Sequence, residues 1–325
     1  MMIYMTKTSN IKKFDAVFEG GGVKGIAFVG AICKLEEEGY KLERCAGTSA
    51  GAIISALLAV GYTGKEIKEL MLNTDYTKFL DKNISIFSSS NIFEKASHAY
   101  NLFTDKGFYS GDYFENWIHN LLKAKGKTKF KDVYINGKSK LKIIAADTTN
   151  SKMLILPDDL EKYGINSMEF DIAKAVRMSM SIPIFFKPVQ LRGNFIVDGG
   201  ILSNYPIWIF DVEGKPSYPT FGFNLDENKL SYTAQGKTDF IHYSLDVFNT
   251  CIFSGKNEDV YIRDKDLART INIPTLGVNT TEFDLSKEKS LALYQSGYES
   301  TEKFLREWDF EKYVKEYRNE NKVVA

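Results

Sequence analysis

The stretch Lys41–Val60, KLERCAGTSAGAIISALLAV, decides the fold. Its first third, "KLERCAG", reads as a strand that ends in small residues. Its last nine residues, "AIISALLAV", form an uncharged apolar run that reads as a buried helix. The junction between them is Gly47-Thr48-Ser49-Ala50-Gly51, which carries the spacing G-x-S-x-G. A strand that passes into a helix across such a junction is a nucleophile elbow, with the serine on a sharp turn at the C-terminal edge of a sheet. Gly47, Ala50 and Gly51 are small, as close approach of strand and helix demands. The helix begins at once, so its N-terminal N–H groups and dipole face any oxyanion formed near Ser49. The same five residues also describe a glycine-rich turn with a helix-capping serine. What separates the two readings is a group to take the serine proton, and the chain holds only three histidines in 325 residues.

Upstream, "FDAVFEG" (Phe14 to Gly20) reads as a short buried strand. A helical pattern follows from Val23 to Glu38, with Phe28, Ile32 and Leu35 on one face. Between them lies "EGGGVKG", Glu19 to Gly25, which satisfies G-x-G-x-x-G at Gly20, Gly22 and Gly25. Such a loop can bring a pyrophosphate to a helix N-terminus, or its N–H groups can surround the oxyanion of an acyl-transfer transition state. The first use wants an acid at the end of the next strand to hold a ribose hydroxyl. Here that strand ends in Cys45-Ala46-Gly47 and runs into the elbow. No G-K-[ST] follows the glycines, so a phosphate-binding P-loop fails too. Lys24 is suited to orienting the loop or attracting an anionic head group, or simply to solvation in a first helical turn.

Downstream, "KLKIIAAD" (Lys140 to Asp147), "FIVDGG" (Phe195 to Gly200) and "PTFGFNL" (Pro219 to Leu225) read as strands, and Ser286 to about Asn319 as mainly helical. Strands alternating with helices predict a largely parallel sheet covered on both faces, a three-layer α/β/α sandwich. Thr74 to Gly111 mixes Ser, Asn and Phe without steady periodicity and reads as short helices and loops beside the sheet. No linker divides the chain. We expect a catalytic domain over 14–210, with strands and helices of 211–325 packed on it.

The third motif is "VDGG", Val197 to Gly200. An aspartate ending an apolar strand before Gly199 and Gly200 can reach the C-terminal edge of the sheet. There it would take the proton of Ser49 directly, or orient another base. Alone, Asp-Gly is equally a common turn.

Composition narrows the classes. Basic and acidic residues balance at 42 each with no basic stripe, so a nucleic-acid partner is not expected. Cys33, Cys45 and Cys251 show no C-x-x-C spacing, so neither a disulfide framework nor a metal site is suggested. The start, "MMIYMTKTSNIKKF", lacks the apolar run of a signal peptide, and no window approaches a membrane span. The cytoplasm is the expected compartment; export without a cleaved signal would leave the same sequence.

Together, Glu19-Gly-Gly-Gly-Val-Lys-Gly25, Gly47-Thr-Ser-Ala-Gly51 and Asp198-Gly-Gly200 resemble, in order and separation, the motifs of patatin-like phospholipases. "KGFYSGDYFENWI", "AVRMSMSIPIFFKPV", "DGGILSNYPI" and "TTEFDLSKEKSLALYQSGYEST" are similar to the connecting blocks of bacterial members, so the resemblance covers about residues 14 to 306. It implies a fold related to the α/β hydrolases with modified connectivity. It also implies a Ser-Asp dyad with Ser49 as nucleophile and Asp198 as general base. Gly20, Gly21, Gly22 and Val23 would supply oxyanion-hole N–H groups, with Lys24 where the family carries Arg or Lys. The implied substrate is a phospholipid or other acyl ester, met by peripheral membrane contact, without metal or cofactor; the sequence points to no protein partner. Segment 74–112 is less familiar. His98, His119 and His242 each lie in a stretch that reads as amphipathic helix rather than at a strand end, which agrees with a carboxylate base. Two rival readings stay open: a Ser-His-Asp esterase, and a nucleotide- or lipid-binding protein that keeps the fold without turnover.

Overall fold

The structure is a computed structural model that describes residues 12–81, 106–227, 240–258 and 263–318. Its sheet strands are β1 (Lys12–Phe18), β2 (Tyr40–Thr48), β3 (Leu141–Asp147), β4 (Lys152–Leu156), β5 (Val189–Leu191), β6 (Asn194–Asp198), β7 (Thr220–Asp226) and β8 (Thr270–Pro274). The helices used below are α1 (Ile26–Glu37), α2 (Ala50–Val60), α3 (Gly64–Leu72), α4 (Asp112–Ala124), α5 (Ile172–Ser179), α6 (Phe240–Glu258), α7 (Lys287–Glu307) and α8 (Phe310–Tyr317).

Strands β8, β7, β1, β2 and β3 lie side by side in that order, all parallel. Parallel strands bury both faces, which explains why Phe14 to Phe18 of β1 are buried without alternation. On one face Phe18 stacks on Phe223 (centroids 4.7 Å) and meets Phe28 of α1. On the other, Val17 and Ala46 pack against Ile207 and Phe210. Asp15, buried in mid-strand, is held by the Arg44 guanidinium at 2.5 Å. Helix α7 crosses α1 so closely that a Cβ on Gly30 would lie 1.9 Å from the Tyr294 carbonyl oxygen, and one on Gly297 1.8 Å from that of Ala27. The architecture is the expected α/β/α sandwich with a mostly parallel central sheet.

The edge of the sheet where β2 and β6 end is built by a change of partner along β3. Leu141 to Ile144 pair in parallel with Cys45 to Thr48 of β2. Ala145 to Asp147 pair antiparallel with Asp198 to Ile196 of β6. The other edge of β3 is occupied throughout Ile143 to Asp147 by β4. A strand has two hydrogen-bonding edges, so β6 must continue the row that β2 vacates. The two strands therefore meet head-on: Thr48 stands opposite Ile144, and Asp198 opposite the next residue, Ala145.

Within the irregular segment, Tyr76–Phe79 forms a 3-10 turn and Gly107–Tyr109 pairs in parallel with Ile184–Phe186. Residues 82–105, and His98 with them, lie outside the described residues. The helix expected from Val23 begins instead with a 3-10 turn, Gly22–Gly25, and becomes α-helical at Ile26. Gly22 opens that turn with a φ of +57°, a left-handed conformation that favours glycine. No helix among the described residues is long and apolar enough to cross a membrane.

Candidate active site

Ser49 occupies the single residue between β2 and α2, with φ 53° and ψ −120°. A non-glycine residue at positive φ is strained, and such strain persists only where the surroundings enforce it. Here the enforcing contacts are visible. A Cβ on Gly47 would lie 2.3 Å from the Gly51 carbonyl, and one on Gly51 2.4 Å from the Phe18 carbonyl oxygen, so only glycines let strand, helix and β1 close at this point. The Ser49 N–H donates to Ser179 Oγ (2.9 Å), which donates in turn to the Ile144 carbonyl (2.5 Å). The Ser49 carbonyl accepts from Ala52 N–H at 2.9 Å as the helix begins.

Asp198 ends β6 and is fully buried. Its N–H donates to the Ser181 carbonyl (2.9 Å), and its Oδ1 accepts from Gly200 N–H (2.8 Å) in the turn begun by Gly199. Oδ2 has no hydrogen-bond partner among the described residues. Burial pushes the Asp198 carboxyl up to about 7; the Gly200 N–H and the Ser49 hydroxyl pull the other way. The end of α5 serves both halves of the pair, through the Ser179 side chain and the Ser181 carbonyl. Arg177, buried, braces that end by donating to the Ser110 carbonyl, the Lys187 carbonyl (2.9 Å) and Ser181 Oγ. None of these three was singled out from the sequence, although all sit in the block "AVRMSMSIPIFFKPV".

The glycine loop departs in part from its expected use. The Gly20 N–H donates to the Asn204 carbonyl (3.0 Å) and the Val23 N–H to the Thr280 carbonyl (3.1 Å), so both are spent on holding the loop. The N–H groups of Gly21 and Gly22 have no such partner among the described residues. Lys24 is not solvated: it is buried and paired with Glu227. Glu19 is buried beneath the loop, where its Oε2 accepts from Leu225 N–H (2.7 Å) and its Oε1 from Asn204 Nδ2 (3.0 Å). Gly25 and Ala50 meet where loop and elbow touch, with a Cβ on Gly25 3.5 Å from that of Ala50.

Ser49 opens to two spaces. One is a small chamber of mixed lining, where Gly20 to Gly22, Asp198, Asn204, Glu227 and Asn249 meet Ile182, Leu225, Phe248 and Ile252. The other is an apolar groove enclosing about 590 Å³, partly open to solvent, walled by Ile53, Met71, Tyr76, Phe79, Trp117 and Phe283 among others. His119 borders neither space; it lies on α4, 40% exposed, with Nδ1 3.3 Å from Asp171 Oδ2. His242 falls in α6, and its side chain lies outside the described residues.

The profile of the family "Patatin-like phospholipase" matches residues 16–211. This chain belongs to the patatin-like phospholipase family. It is 41% identical over 302 residues, 91% of this chain and 99% of the relative, to the uncharacterized protein YqhO of Bacillus subtilis. It is 29% identical over 201 residues to the probable lipid hydrolase 463L of Invertebrate iridescent virus 6, covering 59% of this chain and 61% of that relative. Among solved structures it resembles VipD from Legionella pneumophila, with a TM-score of 0.54 at 20% identity, over 90% of this chain and 66% of that one; this likeness concerns the fold alone.

Proposed function

We propose that the protein is a lipid acyl hydrolase in which Ser49 attacks an ester carbonyl and Asp198 takes its proton. One observation carries the reading: a fully buried carboxylate, held near a pKa of 7, presents a partnerless oxygen at the head-on junction where the strained serine stands. A carboxylate of ordinary acidity is a poor base for a serine hydroxyl; burial makes it a better one. The Gly21 and Gly22 N–H groups, with the N-terminus of α2, stabilise the tetrahedral oxyanion. Gly20 and Val23 hold the loop that aims them. The acyl chain lies in the apolar groove and the alcohol portion in the mixed chamber. Asp198 returns the proton to the departing alcohol, and water then hydrolyses the acyl-enzyme with the same groups. Catalytic groups fall within 14–210, and 211–325 pack on the same unit. The substrate is a phospholipid or related ester met at a membrane surface, in the cytoplasm, with no cofactor.

The rival Ser-His-Asp arrangement is disfavoured for His119, which is exposed and paired with Asp171. Mass-spectrometric product analysis on mixed lipids tests the proposal. Wild type should release fatty acid and label with a fluorophosphonate; folded Ser49→Ala should do neither. A folded variant lacking all three histidines should stay active. Activity that survives in Asp198→Asn but not in the histidine-free variant would transfer the base to a histidine.

A further inference from the structure

The mixed chamber is lined by a second residue with a buried acceptor besides Asp198. Asn204 is 8% exposed, and its Oδ1 is buried without a hydrogen-bond partner among the described residues. Its orientation is fixed from the other end. Nδ2 donates to Glu19 Oε1 at 3.0 Å, and turning the amide over would set an oxygen against that carboxylate oxygen. Oδ1 is therefore held away from Glu19, on a residue that lines the chamber. Two glycines measure where it stands. A Cβ on Gly20 would lie 2.3 Å from Asn204 Oδ1 and 3.4 Å from the Ser49 Cβ. A Cβ on Gly200 would lie 3.0 Å from Asn204 Oδ1 and 3.1 Å from Asp198 Oδ1. Asn204 Oδ1 thus stands close to Ser49 and to the Asp198 carboxylate, and all three residues line the same chamber.

Leaving a buried acceptor unpaired is costly. Once Ser49 is acylated its hydroxyl is gone and the Gly21 and Gly22 N–H groups are engaged by the acyl oxygen, so two acceptors beside it suit a ligand that brings two hydrogens. Water is the smallest such ligand. We propose that Asn204 is a catalytic residue of the second half-reaction: its Oδ1 and the Asp198 carboxylate accept the two hydrogens of the hydrolytic water in the chamber beside acylated Ser49. The inference rests on the assignment of Ser49 as nucleophile. With both hydrogens engaged, the oxygen lone pairs of the water are left for the acyl carbon. The water oxygen bonds to that carbon, one proton passes to Asp198, the bond from carbon to Ser49 Oγ breaks, and Oγ takes the proton back. The products are a carboxylic acid and free Ser49. The second hydrogen stays on the acid and is held by Asn204 while the bond forms. An alcohol brings only one hydrogen, which Asp198 needs, and its carbon faces Asn204 Oδ1 instead. The chamber therefore discriminates water from alcohols as acyl acceptors.

The test is a product ratio, which does not depend on how much of a variant is active. A short-chain nitrophenyl ester is turned over in aqueous methanol, and free acid and methyl ester are quantified. At equal molarity the unaltered protein should pass the acyl group to water in preference to methanol. Asn204→Leu should shift the ratio toward methyl ester by about tenfold or more, the worth of one buried acceptor. Asn204→Asp keeps an oxygen at the same place and should keep the original ratio even if total turnover falls. Preferential capture by methanol in the unaltered protein, an unchanged ratio in Asn204→Leu, or an equal shift in both variants would overturn the role of Asn204. Intact-mass detection of acylated Ser49 separates the two assignments: if Ser49 never carries the acyl group, the nucleophile assignment itself falls.

Discussion

Asp198→Asn should separate stability from activity, and pH is the variable that shows it. In the folded chain the Asp198 carboxyl titrates near 7, against an ordinary value of 3.8, because burial disfavours the charge. A tenfold change in an acid's dissociation constant corresponds to about 1.4 kcal/mol. Keeping the carboxylate ionised in the folded protein therefore costs at most about 4 kcal/mol. The sign follows from proton binding. Below pH 3.8 the group is neutral in both states and costs nothing. Between 3.8 and 7 the unfolded chain has lost the proton and the folded chain has kept it, so stability falls as pH rises. Above 7 both are ionised and the loss is complete. The asparagine substitution preserves shape and an oxygen to accept the Gly200 N–H, without the charge. Urea unfolding of wild type and Asp198→Asn should therefore coincide near pH 4. They should diverge through neutrality, with the variant the more stable by up to about 4 kcal/mol at pH 9. The same variant should lose hydrolytic turnover. A stability difference that does not change with pH, or a wild type more stable at pH 9, would refute the reasoning.

Three further outcomes are expected. The pH profile of kcat/KM should fall about tenfold per pH unit below pH 7 and level above it, because the base must be ionised in the free enzyme; stopped-time assays with a soluble ester would show this limb. Gly297→Ala should cost about 1–3 kcal/mol or more in urea unfolding, because the added methyl would meet the Ala27 carbonyl of α1 and force the helices apart. Ile53→Trp, at the wall of the apolar groove, should lower kcat/KM for long-chain esters by about tenfold or more while acetate esters change little, read by comparing a chain-length series.

Much of the frame is legible in the sequence because it rests on local signals. Strands β1, β2, β3, β6 and β7 and helices α1 and α2 are apolar runs punctuated by glycine. Edge strand β8 carries no such signal: "TINIP" is five residues long, with Asn272 facing solvent. Helix α3 also escapes the apolar-run reading, although Thr63-x-x-Glu66 forms a capping box at its start; strand β4, "KMLIL", is a short apolar run that the reading above passes over. The motifs locate Ser49, Asp198 and the loop, yet not the division of labour within the loop. Which N–H groups are free depends on Asn204 and Thr280, far along the chain, and no spacing rule reaches across such separations. Lys24 stays open between solvent and site for the same reason: its burial follows from Glu227. Asn204 itself lies within the quoted block "DGGILSNYPI". A polar residue six positions beyond the expected base, shortly before a proline, is the available signal.

The brace of the glycine loop has a consequence for how this chain can vary. Ser49, Asp198 and the glycine loop, the groups proposed to react, lie within 16–211, the part matched by the family profile. The groups that fix the loop from outside, the Leu225 N–H on Glu19, the Glu227 carboxylate on Lys24 and the Thr280 carbonyl on Val23, all lie beyond it. Inheritance of the motifs and inheritance of a working loop are therefore separate matters. Two descendants with identical motifs can differ in rate through substitutions at 225, 227 or 280 that a motif search would score as silent. A chimera that joins 16–211 of this chain to the C-terminal part of a relative would bring every group proposed to react and still have to rebuild three contacts before they line up.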